Sequence, residues 1–526
     1  MRRPFRMPDA RTLSSGSLFA LSYAAGMPGY DVPAAGFVCM APFLDLAVRP
    51  GSARDAALRG WAAGTAGSLP LYYWISHTVA VEGKLGWPLG WLAAVLLSAY
   101  LGAWFSVAAA AARRLASRYG DRGLWAFPFL WTALELARTH LFTGFPWMLL
   151  GYALSGETYL RQAADLAGVY GLSFLLALSG VSLYLAGKAW TERTFAAALP
   201  RLVPGAASVL FLAVYGLAAN PAPDPPSAGQ GMLRAGIAQG GIDQNVKWEP
   251  SNQLNTLEIY GELTSRARAA GAGVVIWPET AAPFFYGWEA ELSRRVDAIA
   301  AGAGVPLIFG APWFDPAEGG RFYNSVFLVD GRGVLAGRYD KRRLVPFGEY
   351  IPLRRALFFL QKLTVGADDF SRGTASSLFS AGGARVSASV CYEAIFPGIL
   401  RDAVREGATV LVNVTNDAWF GDTVAPLQHL AMARIRCVEL RRPMFRAANS
   451  GISAVIDSGG GIVASLGLFR RGVVLGEVRP GTEMTLYAKT GELFGISCII
   501  ISFFTLFIPL RGLHGIWTPG RENGGS

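Results

Sequence analysis

Apolar residues fall along this chain in eight long runs, near residues 13–28, 33–48, 60–80, 88–112, 124–141, 168–187, 202–219 and 494–510. Most approach the roughly 20 apolar residues a helix needs to cross hydrocarbon, so the pattern predicts eight membrane-spanning helices. Gly26, Pro28, Gly29 and Pro33 interrupt the first pair and predict a tight hairpin of two short helices. A signal peptide is the competing reading of the first run. It is disfavoured because a second apolar run follows almost at once, with no small-residue cleavage site between. Between the seventh and eighth runs the pattern changes. After a Pro-rich stretch, Pro221 to Pro226, short β-branched segments alternate with helical ones, as in an α/β domain. Strands are expected at Met232–Gln239, Gly273–Trp277, Pro306–Gly310, Ser325–Val329, Arg385–Val390 and Thr409–Val414. Shorter pieces around Ser453–Asp457 and Gly461–Ser465 look like an edge hairpin, while Glu289–Ala301 and Ala425–Leu440 have helical periodicity. The expected organisation is seven helices in residues 1–220, an α/β domain over 225–487, and a last helix with its tail in 488–526.

Composition agrees with the membrane reading. The 526 residues are 52% hydrophobic, and a mean hydropathy of +0.33 is too apolar for an ordinary soluble enzyme of this size. A net charge of +10 does not point to nucleic acid, because the basic residues form no single patch and sit in short clusters between apolar runs. With eight spans, Arg2, Arg3, Arg6 and Arg11, then Arg49, Arg54 and Arg59, then Arg113, Arg114, Arg118 and Arg122, then Lys188, Arg193 and Arg201 share one side. By the positive-inside rule that side is the cytoplasm, which puts the α/β segment on the opposite, extracytoplasmic face. Of four cysteines, Cys39 and Cys498 lie in apolar runs and Cys391 and Cys437 in the mixed region; no disulfide framework or zinc spacing is present.

Cys391 ends an apolar strand-like run, and Pro397 is well placed to begin a helix just beyond it. A thiol at such a strand-to-helix turn is exposed, near backbone N–H groups that favour both a thiolate and a developing oxyanion. The other reading is a small buried hydrophobe. Trp277-Pro278-Glu279 sets a carboxylate after a second strand, and Tyr339-Asp340-Lys341 sets an ammonium after a third. Singly these read as solvated strand-end charges; converging on one rim, they read as a general base, a thiol nucleophile and an oxyanion-stabilising cation. Glu135 and Arg138 fall in the fifth apolar run at helical spacing, where ionisable residues mark function or pair with each other.

Glu279, Lys341 and Cys391 in these contexts resemble the triad of the nitrilase superfamily of carbon–nitrogen hydrolases. More closely, the chain resembles the apolipoprotein N-acyltransferase family. The resemblance rests on Trp277-Pro278-Glu279-Thr280, on Lys341 followed by Leu344-Val345-Pro346-Phe347-Gly348-Glu349-Tyr350-Ile351-Pro352, and on Val390-Cys391-Tyr392-Glu393. It extends to Thr415-Asn416-Asp417-Ala418-Trp419-Phe420-Gly421, Asn449-Ser450-Gly451-Ile452 and, in the helical part, Thr143-Gly144-Phe145-Pro146-Trp147. It implies a polytopic α-helical membrane domain of about eight spans joined to an αββα nitrilase-like sandwich, in a bacterial cytoplasmic membrane. The implied reaction has two steps. Glu279 activates Cys391, which takes an acyl chain from a membrane phospholipid as a thioester. The N-terminal α-amine of a diacylglyceryl-cysteine apolipoprotein then receives it. Lys341 and the Tyr392 N–H would stabilise the oxyanion, and Glu349 and Glu393 would be supporting carboxylates. Trp248 would line the acyl site or be a core aromatic; Trp419 and Phe420 would touch lipid or be core. No cofactor, metal or nucleic acid is implied. The link Met27-Pro28-Gly29-Tyr30-Asp31-Val32-Pro33 departs from the family pattern, with Val32 where an aromatic is expected.

Two other readings stand beside this one. A membrane-anchored amidase would differ only in letting water resolve the thioester, and a non-catalytic membrane scaffold would keep the fold without the chemistry. A transporter fits less well, because the spans carry few charges.

Overall fold

Each of the eight apolar runs forms helix. The computed structural model describes residues 9–219, 231–244, 246–317, 320–352, 369–376 and 378–508. Arg2, Arg3, Arg6, the stretch Pro221 to Pro226 and the tail beyond 508 lie outside them. The helical part runs α1 (Ala10–Ala25), α2 (Pro33–Val38), α3 (Met40–Val48), α4 (Ala53–Tyr72), α5 (Trp74–His77), α6 (Trp87–Tyr119), α7 (Phe127–His140), α8 (Ala164–Thr191) and α9 (Phe195–Ala219). Local chemistry sets several ends: the Asp9 carboxylate accepts from Thr12 N at 2.8 Å to start α1, and Pro88 and Pro128 sit in the first turns of α6 and α7.

Among the described residues, three continuous helical stretches have the length and apolar composition of a membrane span: Trp87–Thr143, Leu160–Thr191 and Phe195–Ala219. That is fewer than the eight spans the runs predict, for identifiable reasons. A 3₁₀ segment, Gly120–Ala126, joins two runs into one stretch. The apolar helices Pro33–Val48 and Leu493–Phe507 are shorter, and α4 carries Arg54, Asp55 and Arg59 in its first turns. Leu18, Leu92, Leu96, Leu199, Leu210, Leu217 and Phe503 nevertheless point outward, each at least half exposed, apolar surface that suits lipid and not water.

The α/β part holds two six-stranded sheets. The first has the order β12-β1-β2-β3-β4-β5, built from β1 (Leu233–Gln239), β2 (Val274–Ile276), β3 (Leu307–Asp315), β4 (Arg321–Val329), β5 (Leu335–Asp340) and β12 (Gly472–Val478). The second, in the order β11-β10-β9-β8-β7-β6, uses β6 (Phe379–Ala381), β7 (Ala384–Val390), β8 (Val410–Thr415), β9 (Met444–Ala448), β10 (Ser453–Ile456) and β11 (Ile462–Leu466). Strand alternation sorts the core. Val274 and Ile276 join Val410, Val412 and Val414 between the sheets, whereas Val275 and Trp277 face α10 (Pro250–Ala269) and α11 (Ala290–Ala303). Leu411 and Met444 likewise face α12 (Pro397–Arg405) and α13 (Ala425–Leu440). The result is a four-layer αββα sandwich. After the short α14 (Leu486–Thr490), α15 (Leu493–Phe507) returns to the helical part, where the Tyr119 hydroxyl donates to Thr505 O at 3.2 Å.

Candidate active site

Parallel strands aim their C-terminal ends at one rim, and both sheets contribute. β1, β2 and β3 run parallel in the first sheet, and β7, β8 and β9 in the second. β5 is antiparallel to β4, which is antiparallel to β3, so β5 also ends there. Glu279 follows β2, Lys341 follows β5 and Cys391 follows β7. The loop bearing Glu279 is pinned to β3 by Gly310 N donating to Pro278 O at 3.1 Å. A Cβ on Gly310 would lie 2.7 Å from Glu279 Cα, so only glycine permits this approach.

Lys341 is the hub of the first half of the site. Its Nζ lies 2.9 Å from Glu349 Oε1 and 3.4 Å from Glu279 Oε1, with all three side chains buried. Asn324 Nδ2 donates to both Glu279 and Glu349, each at 2.8 Å, fixing their spacing. Burial alone would lower the lysine's pKa, but Glu349 and then Glu279 outweigh it and hold the ammonium charged. Lys247 Nζ donates to the Glu279 backbone carbonyl at 3.3 Å; burial, opposed by Glu279, pushes this amine down to about 8.

The second half holds the thiol. Cys391 has φ +49° at the head of a 3₁₀ turn, Cys391–Ile395. A non-glycine residue in this left-handed region costs about 1–3 kcal/mol and persists only when its surroundings enforce it. Glu393 is part of that enforcement, accepting from Val390 N at 2.8 Å, Arg342 N at 2.6 Å, Arg343 N at 3.1 Å and the Tyr339 hydroxyl at 2.9 Å. It therefore ties the Cys391 turn to the strand that delivers Lys341. Burial, reinforced by the Glu279 carboxylate and opposed by Lys341, pushes the Cys391 thiol up to about 12. At neutral pH it is a thiol, and attack on a carbonyl requires a base to take its proton. The Tyr392 hydroxyl donates to Gly144 O of the helical part at 3.1 Å. Gly144 has φ +83°, and a Cβ there would come 3.1 Å from the Phe396 ring.

The structure thus gathers Glu279, Lys341, Cys391, Glu349, Glu393 and Tyr392 at one rim. Trp248 is half-buried in a turn beside Lys247, and among the described residues no hydrogen bond joins it to the cluster. Trp419 and Phe420 lie where the two parts meet. Trp419 O accepts from the Thr78 hydroxyl at 2.9 Å, and the Phe420 ring packs on Trp74 and Trp147 at 4.9 and 5.8 Å. Of the two readings of Glu135 and Arg138, mutual pairing is not what the structure has: no ion pair joins them among the described residues. Glu135 Oε1 accepts from Leu150 N at 2.7 Å, and Arg138 Nη2 donates to Trp147 O and Met148 O at 3.3 Å. Segment 144–149 is not helical and needs partners for its backbone, which these buried charges supply. Sequence reasoning also missed Asn324, one residue before an expected strand, and His429, inside an expected helix. The signal available for Asn324 was its place at the edge of the expected strand Ser325–Val329, which the structure extends to Arg321; His429 offered none.

Residues 234–485 match the carbon–nitrogen hydrolase family, and residues 15–182 match the apolipoprotein N-acyltransferase N-terminal domain. The apolipoprotein N-acyltransferase of Geobacter metallireducens is 39% identical over 514 residues, covering 94% of this chain and 96% of that protein. That of Azotobacter vinelandii is 35% identical over 512 residues, covering 93% and 95%. That of Methylococcus capsulatus is 39% identical over 379 residues, covering 70% and 71%. Fold and rim together define a thiol-bearing carbon–nitrogen hydrolase domain carried by a membrane protein. Within that class, the chain belongs to the apolipoprotein N-acyltransferase family.

Proposed function

We propose that this protein moves a fatty acyl chain from a membrane phospholipid, through a thioester on Cys391, to the N-terminal α-amine of a diacylglyceryl-cysteine apolipoprotein. The observation that carries this reading is the convergence of Glu279, Lys341 and Cys391, with the ammonium 3.4 Å from the carboxylate and both charges close enough to act on the thiol's pKa. Glu279 takes the thiol proton as Sγ attacks the ester carbonyl. Lys341 and the Tyr392 N–H stabilise the oxyanion, and the lysophospholipid leaves with the proton from Glu279. The acceptor amine then attacks the thioester, loses its proton to Glu279 and leaves as an amide, while Cys391 recovers its thiol. Glu349 and Glu393 orient Lys341 and the nucleophile turn. Trp248, Trp419 and Phe420 line the approach of the acyl chains.

Donor and acceptor are both confined to a bilayer, so a rim at the membrane surface meets them at high local concentration. We read eight spans, residues 1–220 carrying seven and 488–526 the last, with the catalytic domain over 225–487 on the periplasmic face of a bacterial inner membrane. Supporting this orientation, Asp121 pairs with Lys188 and Arg201 at 2.5 and 3.2 Å, and Arg118 donates to Leu506 O. These basic groups gather at the end of the helical part away from Gly144, Trp147 and Thr78, which touch the catalytic domain.

The test is transfer itself. Purified protein, an acyl-labelled phospholipid and a diacylglyceryl-cysteine peptide should yield an N-acylated peptide, and Cys391→Ala should yield none. Release of free fatty acid with an unmodified peptide would favour the amidase reading; acyl transfer surviving in Cys391→Ala would remove the thioester.

A further inference from the structure

Behind the thiol lies a fully buried polar cluster that no step above uses. His429 Nε2 sits 3.0 Å from the backbone carbonyl oxygen of Cys391. A carbonyl only accepts, so Nε2 carries the hydrogen. On the other side of the ring, Arg446 Nη2 lies 3.1 Å from Nδ1 and 2.7 Å from Asp417 Oδ2, and Asp417 Oδ1 lies 3.1 Å from Nδ1. With the hydrogen on Nε2, Nδ1 of the neutral ring is the acceptor for Arg446 Nη2; burial and the Arg446 guanidinium, opposed by Asp417, hold the imidazole's pKa below its ordinary value. The Thr415 hydroxyl occupies Asp417 Oδ1 at 2.9 Å, and Arg446 Nη1 donates to Asn413 Oδ1 at 2.6 Å. Asn413 Nδ2 donates to Ser389 Oγ at 3.1 Å and reaches the same Cys391 carbonyl at 3.5 Å.

The helical part covers the imidazole. The Trp147 ring lies 5.6 Å from it at an interplanar angle of 33°. Trp147 is fixed in turn by Nε1 donating to Gln428 Oε1 at 2.8 Å and by its carbonyl accepting from the Tyr72 hydroxyl at 2.7 Å.

We propose that His429 is a positioning residue: its Nε2–H holds the Cys391 carbonyl and so keeps the nucleophile in its left-handed turn, with Arg446 setting the tautomer and Trp147 fixing the ring plane. This rests on the acyl-transfer reading of Cys391. The carbonyl of a residue at positive φ faces away from the neighbours it would have in a strand. Without a donor aimed at it, the turn relaxes and the thiol leaves the base and the cation. A displacement of about 1 Å at a reacting atom slows chemistry on the order of 10²-fold.

The experiment compares single-turnover acylation of Cys391 by a short-chain alkyne-tagged phospholipid in detergent-purified full-length wild type, His429→Leu and His429→Gln. Leucine keeps bulk and removes the donor; glutamine restores an N–H. The expected result is a fall of about 10- to 100-fold in the limiting rate for His429→Leu at unchanged half-saturating phospholipid, with most of the loss recovered by His429→Gln. If His429→Leu does not fold, His429→Asn takes its place, its shorter amide falling short of the carbonyl. A wild-type rate in the donor-less variant overturns the proposal. So does equal slowing of both variants in step with a lowered melting temperature, which is what packing alone would produce. If wild type itself takes no acyl group, the underlying reading fails instead.

Discussion

The two halves of the rim are built differently. On the first sheet, Glu279, Lys341, Glu349 and Asn324 hold one another by side-chain charge and hydrogen bonds, and every partner belongs to the α/β domain. On the second sheet, Cys391 is held through its backbone: Glu393 grips the N–H before it, His429 its carbonyl, and Tyr392 and His429 both rest on residues of the helical part. The difference separates two tasks. On the proposed reading, the charge that would drive proton transfer and stabilise an oxyanion is local to the α/β domain. The placing of Cys391 is shared with the helical part, so on the same reading disturbing the first half should change chemistry and disturbing the second should change position.

The largest effect should come from Cys391→Ala, which removes the nucleophile and leaves every grip in place. Acyl transfer should fall by about 10⁴-fold or more with the melting temperature nearly unchanged; a drop in stability as large as the loss of activity would mean the thiol is structural. Lys341→Met should come next, because it strips the cation from two buried carboxylates. We expect acylation about 10²- to 10³-fold slower and a stability loss of about 3–5 kcal/mol, read from thermal melts in detergent. A pH series then distinguishes the halves without mutation. Because burial and Glu279 push the folded thiol up to about 12, from an ordinary 9.0, the thiolate fraction should still be rising at pH 10. Iodoacetamide labelling of Cys391 should thus climb about tenfold per pH unit with no plateau near 9, and a plateau near neutral pH would show a thiolate stabilised in the resting site.

Glu393→Gln bears on the second half. It leaves backbone donors of Val390, Arg342 and Arg343 competing for a single oxygen, so stability should fall by about 1–3 kcal/mol. The limiting acylation rate should fall while half-saturation by phospholipid stays put; a change in half-saturation alone would assign Glu393 to donor binding. Phe420→Leu should matter least, about 1 kcal/mol from the lost ring contacts with Trp74 and Trp147, measurable as a small shift in melting temperature with acylation within about threefold of wild type.

Much of this was legible in the chain. Apolar runs marked the long helices of the membrane part, and β-branched runs marked most of the buried strands but not Met444–Ala448, which has no β-branched residue, with Ala425–Leu440 read to the residue. Leu335–Asp340, with its exposed face, was read only as the strand ending before Lys341, and Gly472–Val478, whose pairing with Leu233–Gln239 joins residues far apart in sequence, escaped. Glu279, Lys341 and Cys391 were visible because each follows a strand and sits in a recognisable motif. His429 was not, since its contact with Cys391 depends on how α13 packs against the second sheet. Spacing alone left Glu135 and Arg138 as either functional groups or a helical pair; the backbone groups of Trp147, Met148 and Leu150 that they satisfy come beside them only in three dimensions.

The central claim is that Cys391 carries the acyl group, and its most direct test is mass spectrometry of full-length protein after incubation with an alkyne-tagged phospholipid. The expected result is one hydroxylamine-labile acyl adduct, mapped to Cys391 and absent from Cys391→Ala. Folded protein that acylates a diacylglyceryl-cysteine peptide while Cys391 stays unmodified throughout would contradict it.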